Sequence, residues 1–224
     1  MAGMFPDELM KRVGEAGVIA VLTIDDPVNA VPLARALVAG GVSAIELTLR
    51  TPRAVESIQR IRAELPDILI GAGTVLNRSQ LEQVQQAGAL FAVSPGCNPS
   101  TLRAAKDLGL PFAPGVASPS DIEIAVENGC RLLKFFPAET SGGLAHLTTM
   151  GAPFAHLGLR YIPLGGISVK QLGDYLKSPL VTSVGGSWLA KPDVIARRDW
   201  ATIEAAATDA MRIVREVRPS ADRS

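Results

Sequence analysis

A recurrence along the chain limits its fold more than any other feature. Eight short apolar runs with β-forming character follow one another: VIAVLTI (18–24), AIELTL (44–49), LIGAGTV (69–75), LFAVSP (90–95), LPFAPGV (110–116), LLKFFP (132–137), RYIPLGG (160–166) and VTSVGGSW (181–188). Between them lie segments with helical spacing, among them VNAVPLARALVAG, PRAVESIQRIRAEL, NRSQLEQVQQAG and NPSTLRAAKDLG. The first ends on glycine, as a helix C-terminus should. Asn77, Asn98 and Ser118 stand where N-caps are wanted. A unit that returns every ~20–30 residues has the length of a βα unit. Eight strands alternating with helices call for a parallel α/β sheet with helices outside it. Closing eight such units gives a (β/α)8 (TIM) barrel, slightly shorter than the typical ~250 residues. The alternative is an open doubly wound sheet, disfavoured because no GxGxxG follows the first run. One domain over 1–224 is expected, with no linker or low-complexity segment. A helix over about 5–15 and a long one over about 200–217 should flank the barrel.

Composition narrows the partners. Lysine plus arginine number 22 and aspartate plus glutamate 22, so no global field attracts nucleic acid or an anionic membrane. Any anion site must be local. No apolar run approaches a membrane span. The start, MAGMFPDELMKR, has no apolar signal-peptide core. Cys97 and Cys130 form neither a CxxC pair nor a zinc pattern and read as small apolar residues. A reducing cytoplasm is the expected compartment. With only His146 and His156 and no HExxH, metal ligands are missing from the sequence. Both histidines read as helix or loop residues.

Strand alternation then sorts the second run. Ile45, Leu47 and Leu49 share one face, expected to pack on helices. Glu46, Thr48 and Arg50 share the other, pointing inward or toward the rim. The third run brings Thr74 to its C-terminal end, the sixth carries Lys134, and the last two carry Gly165-Gly166 and Gly185-Gly186. Active sites of such barrels gather at the C-terminal ends of the strands. Glu46, Arg50, Thr74 and Lys134 therefore converge on one mouth. A lysine in a dry interior can lose its proton near neutral pH and become a nucleophile toward a carbonyl. Lys134 and Glu46 fit a plain buried ion pair as well, and Arg50 a surface charge. Thr74 fits strand punctuation, and each glycine pair a simple turn. Where they end the last two strands, the glycines leave backbone amides open to an anion, with the Ser187 hydroxyl beside them. Glu139, two residues after Pro137, reads as a residue that caps or pairs.

Six motifs taken together make the chain resemble the 2-keto-3-deoxy-6-phosphogluconate aldolases, which overlap with the 4-hydroxy-2-oxoglutarate aldolases. They are VAGGVSAIELTLRTPRA, IGAGTVLN, FAVSPG, LLKFFPAE, PLGGIS and VGGSWL, spread over about residues 8–215. The resemblance implies a (β/α)8 barrel, a metal-free class I mechanism without a cofactor, and a homotrimer. It implies Lys134 as the Schiff-base lysine and Glu46 as the proton shuttle. Arg50 and Thr74 would hold the carboxylate of the pyruvate part, and Gly165, Gly166 and Ser187 the phosphate. The implied partners are small 2-keto acids and phosphosugars, with neither nucleic acid nor membrane. Where the family commonly reads Pro-Thr-Gly-Gly, this chain has Leu164 before Gly165-Gly166. That threonine is tied to the stereochemistry of the substrate hydroxyl, so Leu164 opens the question of which epimer is taken. A preference for the phosphogalactonate epimer is one alternative. A phosphosugar isomerase or decarboxylase on the same barrel and a non-catalytic binding protein are the others.

Overall fold

The computed structural model describes residues 4–219. The outermost ends of the expected 1–224 domain, including the first residues of MAGMFPDELMKR, lie outside the described residues. Among the described residues nine strands form: β1 (Val18–Leu22), β2 (Ala44–Thr48), β3 (Leu69–Gly73), β4 (Phe91–Val93), β5 (Phe112–Ala113), β6 (Gly115–Val116), β7 (Leu132–Phe135), β8 (Arg160–Pro163) and β9 (Val184–Gly186). Each lies inside one of the eight apolar runs. The helices between and around them are α1 (Asp7–Ala16), α2 (Ala30–Ala39), α3 (Ala54–Glu64), α4 (Arg78–Gln86), α5 (Pro99–Leu108), α6 (Pro119–Glu127), α7 (Gly143–Gly151), α8 (Val169–Lys177), α9 (Pro192–Ala196) and α10 (Trp200–Val217). The three expected caps are present. Asn77 accepts from the Gln80 amide, Asn98 from the Ser100 amide, and Ser118 forms a reciprocal capping box with Asp121.

All ladders are parallel. They form a six-stranded sheet in the order β5-β4-β3-β2-β1-β9 and a three-stranded sheet in the order β6-β7-β8. The expectation of one closed eight-stranded ring is corrected to this extent: among the described residues the ladders form two separate sheets. The fifth run breaks between β5 and β6 at Pro114, which has no N–H to donate. Between β8 and the eighth run only two isolated parallel bridges form, Tyr161 with Val181 and Leu164 with Gly185. The strand order nonetheless puts the first strand beside the last, since β1 pairs with β9. An open doubly wound sheet would instead reverse its order at a switch point.

The two faces of the strands bury separate cores. Ile45, Leu47, Leu133 and Phe135 belong to the large cluster against the helices, which also includes Leu33, Ile58, Leu81 and Ile203. Residues of the opposite parity make a smaller cluster: Ile19, Ala44, Leu69, Phe91, Val93, Ala113, Leu132 and Ile162. Helix α1 closes on this second cluster with Val13 and Ala16, joined by Phe5 just before it. The amphipathic α1 thus plugs one end of the strand interior, leaving the other end for the site.

Candidate active site

One interior position further along β2 and β7, the apolar filling stops. Glu46 follows Ala44 on its face, and Lys134 follows Leu132. Both are buried, at 2% and 5% exposure, and the Lys134 Nζ donates to Glu46 Oε1 at 2.9 Å. The same ammonium lies 5.3 Å from the centre of the Phe136 ring, within cation–π range. Removing two charges from water costs several kcal/mol per ion before their attraction offsets it. An apolar pair in the same places would fill the space at no such cost, so stability does not explain these residues.

Neighbouring glycines make room for the pair. Gly71 and Gly73 sit opposite Glu46 and Thr48 in the β2–β3 register. A Cβ on Gly73 would occupy the place of the Glu46 carboxylate, and one on Gly71 the place of the Phe91 ring. Gly115 lies beside Lys134 in the β6–β7 register, and its backbone touches the Pro95 carbonyl so closely that a side chain would overlap it. The run GAGT is therefore a packing requirement of the carboxylate as well as a turn signal.

Arg50 lies beyond the end of β2 and is exposed, without a carboxylate partner among the described residues. Thr48, between Glu46 and Arg50, is buried and bonds to the Leu22 carbonyl and the Thr23 hydroxyl, so it is committed to the scaffold. Thr74 follows β3 directly with φ of 59°. A β-branched residue in the left-handed region is a genuine outlier, and such strain gathers at binding sites.

The two glycine pairs look alike in sequence and differ in cause. Gly165 and Gly166 have φ of 110° and 80°, conformations that favour glycine. Their loop is held by the Ala138 amide donating to Leu164 O and the Glu139 amide to Gly165 O, each at 2.9 Å. Gly185 and Gly186 end β9. They lack side chains because Leu164 packs over the first and the Trp188 ring over the second. Ser187 is exposed directly after them. Leu164 itself is 7% exposed.

The remaining candidates are scaffold. His146 bonds to the Ala117 carbonyl and stacks on Phe135, and His156 is exposed in a 3-10 turn. Burial pushes the Cys97 thiol up to about 11 and the Cys130 thiol up to about 12, with nearby Asp121 and Cys97 adding to the respective shifts. Glu139 does pair: its carboxylate accepts from Gln171 Nε2 and from the Tyr175 hydroxyl. Sequence reading missed Gln171 and Tyr175. The only local signal was the Ser168–Gln171 capping pattern, which says nothing of Glu139.

Comparison with known proteins gives the family. Residues 9–206 match the model of the family described as KDPG and KHG aldolase. The chain is 44% identical over 197 residues to the 2-dehydro-3-deoxy-phosphogluconate aldolase of Pseudomonas aeruginosa, covering 88% of this chain and 89% of that one. It is 42% identical to the KHG/KDPG aldolase of Escherichia coli K12 over 87% of this chain and 90% of the relative. Among solved structures, the KDPG aldolase of Legionella pneumophila, with pyruvate captured as a covalent carbinolamine, superposes with a TM-score of 0.85. That protein is 38% identical, over 90% of this chain and 97% of its own. By family model, identity and coverage, the chain belongs to the KDPG and KHG aldolase family.

Proposed function

We propose that the chain is a class I aldehyde-lyase that cleaves 2-keto-3-deoxy-6-phosphogluconate to pyruvate and glyceraldehyde 3-phosphate through a Schiff base on Lys134. The observation that carries this reading is the buried Lys134–Glu46 pair at 2.9 Å. A nucleophile beside its base is the signature of covalent catalysis. Once Glu46 accepts the proton, the Lys134 amine adds to the C2 ketone of the substrate. Loss of water, which Glu46 assists, gives an iminium. Glu46 then takes the C4 hydroxyl proton, directly or through a water. The C3–C4 bond breaks, its electron pair flows into the iminium as an enamine, and the aldehyde leaves. Protonation at C3 from Glu46 and hydrolysis release pyruvate and the free lysine. The iminium is the electron sink, so no metal or cofactor enters a step, and EDTA should leave activity intact.

Arg50 and Thr74 would bind the substrate carboxylate at the rim. The amides of Gly165 and Gly166 with the Ser187 hydroxyl would bind the phosphate, far from the bond that breaks, and use that binding energy for positioning. The same iminium would cleave 4-hydroxy-2-oxoglutarate and release CO2 from oxaloacetate. Leu164 favours tolerance of the phosphogalactonate epimer. The architecture we infer is one domain, a (β/α)8 barrel closed by the isolated bridges between the last two runs and through Pro114. It would work as a homotrimer in the cytoplasm on small-molecule substrates, apart from nucleic acid and membranes.

Borohydride with pyruvate tests the reading. One reduced pyruvate per chain should appear, and peptide mapping should find it on Lys134. Label on another lysine, or none, overturns it. Lys134→Arg should be inactive, because a guanidinium stays protonated and cannot attack. A phosphosugar isomerase on the same scaffold would take no label.

A further inference from the structure

Glu139 is a carboxylate at the mouth that the aldol chemistry does not use. It lies five residues after Lys134, and its environment is unusual for a half-buried acid. No lysine or arginine reaches it among the described residues. One oxygen accepts from the Tyr175 hydroxyl and the other from Gln171 Nε2. Burial and the Glu139 charge push the Tyr175 phenol up, so it remains a donor. The Oε1 of Gln171 in turn accepts from the Ser168 amide at 3.0 Å and the Ser168 hydroxyl at 2.7 Å. Ser168 is the N-cap of α8. At its backbone, Glu139 donates to Gly165 O, and its Cβ lies against Gly166 where a side chain would otherwise sit.

We infer that Glu139 is a positioning residue that fastens the Gly165-Gly166 loop to the strand carrying Lys134. It grips that loop at both ends, at Gly165 through its own amide and at Ser168 through Gln171, while Tyr175 anchors the carboxylate to α8. The loop alone is poorly determined, since two consecutive glycines with positive φ have the most conformational freedom of any pair. The clamp fixes how far the amides stand from the lysine. This inference rests on the proposed function, in which a phosphorylated substrate spans those two points. A substrate without a phosphate does not use the loop and should not sense the clamp.

The test compares wild type with Glu139→Ala, Glu139→Gln and Tyr175→Phe. Loss of charge-assisted hydrogen bonds of this kind shifts an equilibrium by about tenfold. Glu139→Ala should therefore raise KM for 2-keto-3-deoxy-6-phosphogluconate and the inhibition constant of inorganic phosphate by about tenfold. Oxaloacetate decarboxylation and borohydride trapping of pyruvate should stay near wild-type values. Both variants retain the backbone grip, and Glu139→Gln also retains part of the side-chain grip, so it should recover some of the loss. Tyr175→Phe removes one donor and keeps the ring, giving a milder version should the alanine variant fold poorly. Equal losses on phosphorylated and unphosphorylated substrates, or no loss on either, would overturn the positioning role. If wild type takes no pyruvate label, the functional reading fails instead. Calorimetric binding of inorganic phosphate to the four proteins then still decides for or against the clamp.

Discussion

Two residues separate the floor of the strand interior from its mouth. On β2 the step runs from Ala44 to Glu46, on β7 from Leu132 to Lys134, and on β3 from Leu69 to Gly71. Across the break in the fifth run it goes from Ala113 to Gly115. The floor is apolar and plugged by α1. The mouth holds a buried ion pair among glycines. One set of parallel ladders carries both tiers, so the backbone does not distinguish them. The floor gains roughly 25 cal/mol per Å² of apolar surface buried. The mouth spends desolvation energy on two charges and gives up side-chain packing at three glycines. Stability is concentrated at one end of the interior so that the other end can be built for chemistry.

The sharpest break between the tiers is catalytic. Replacing Glu46 by glutamine keeps the shape and removes the proposed base. General acid–base help is worth about 10²–10⁴ in rate, and Glu46→Gln should lose that factor in turnover while still forming some imine. Deuterium exchange at the pyruvate methyl reads the proton transfer alone, and exchange at the wild-type rate would remove Glu46 from the mechanism. At the floor the reverse is expected. The Phe91 ring packs on Phe5 and fills the space above Gly71. Phe91→Ala should cost about 3–5 kcal/mol of stability, read by urea unfolding. The folded fraction should still take one pyruvate per chain on reduction. A stable but inactive Phe91→Ala would show that the tiers are not separable.

A double substitution sharpens the contrast. Lys134→Met alone leaves the Glu46 charge buried without a partner and should destabilise by about 3–5 kcal/mol. Adding Glu46→Leu removes the stranded charge, and the double variant should match or exceed wild-type stability, by up to about 1–4 kcal/mol. A double variant less stable than Lys134→Met would mean that the pair contributes to the fold.

Both tiers were partly legible in the sequence, for different reasons. Runs such as AIELTL declare strand and face through alternation, a local property, and the caps at Asn77, Asn98 and Ser118 are local too. Glu46 and Lys134 were legible because a charge inside an apolar run is conspicuous. What stayed hidden depends on distant partners or on backbone states contrary to propensity. Pro114 divides one run into two strands because it has no N–H to give to a ladder. Thr74 adopts a positive φ that threonine disfavours, which no propensity reveals. The reasons for Gly73 and Gly185 are the side chains of Glu46 and Leu164, visible only in three dimensions. Glu139 meets residues 32 and 36 positions away.

The smallest effect concerns Leu164, where the interior of β8 meets the mouth. Its side chain packs on the Gly185 backbone and its carbonyl holds the Ala138 amide, so its first role is to join the last two runs. A threonine there would offer a hydroxyl to the substrate, and leucine offers none. One neutral hydrogen bond contributes about 0.5–1.5 kcal/mol net, which corresponds to a factor of roughly 2–12 in kcat/KM. The wild type should therefore discriminate weakly between the C4 epimers of the phosphorylated substrate. Leu164→Thr should shift their kcat/KM ratio by a factor within that range and leave pyruvate trapping on Lys134 unchanged. Thermal unfolding of the same variant separates this from lost packing, since packing loss lowers stability without favouring either epimer. A wild type that already discriminates strongly, with a ratio the threonine variant leaves unmoved, would assign Leu164 to the scaffold and place stereochemical control elsewhere in the mouth.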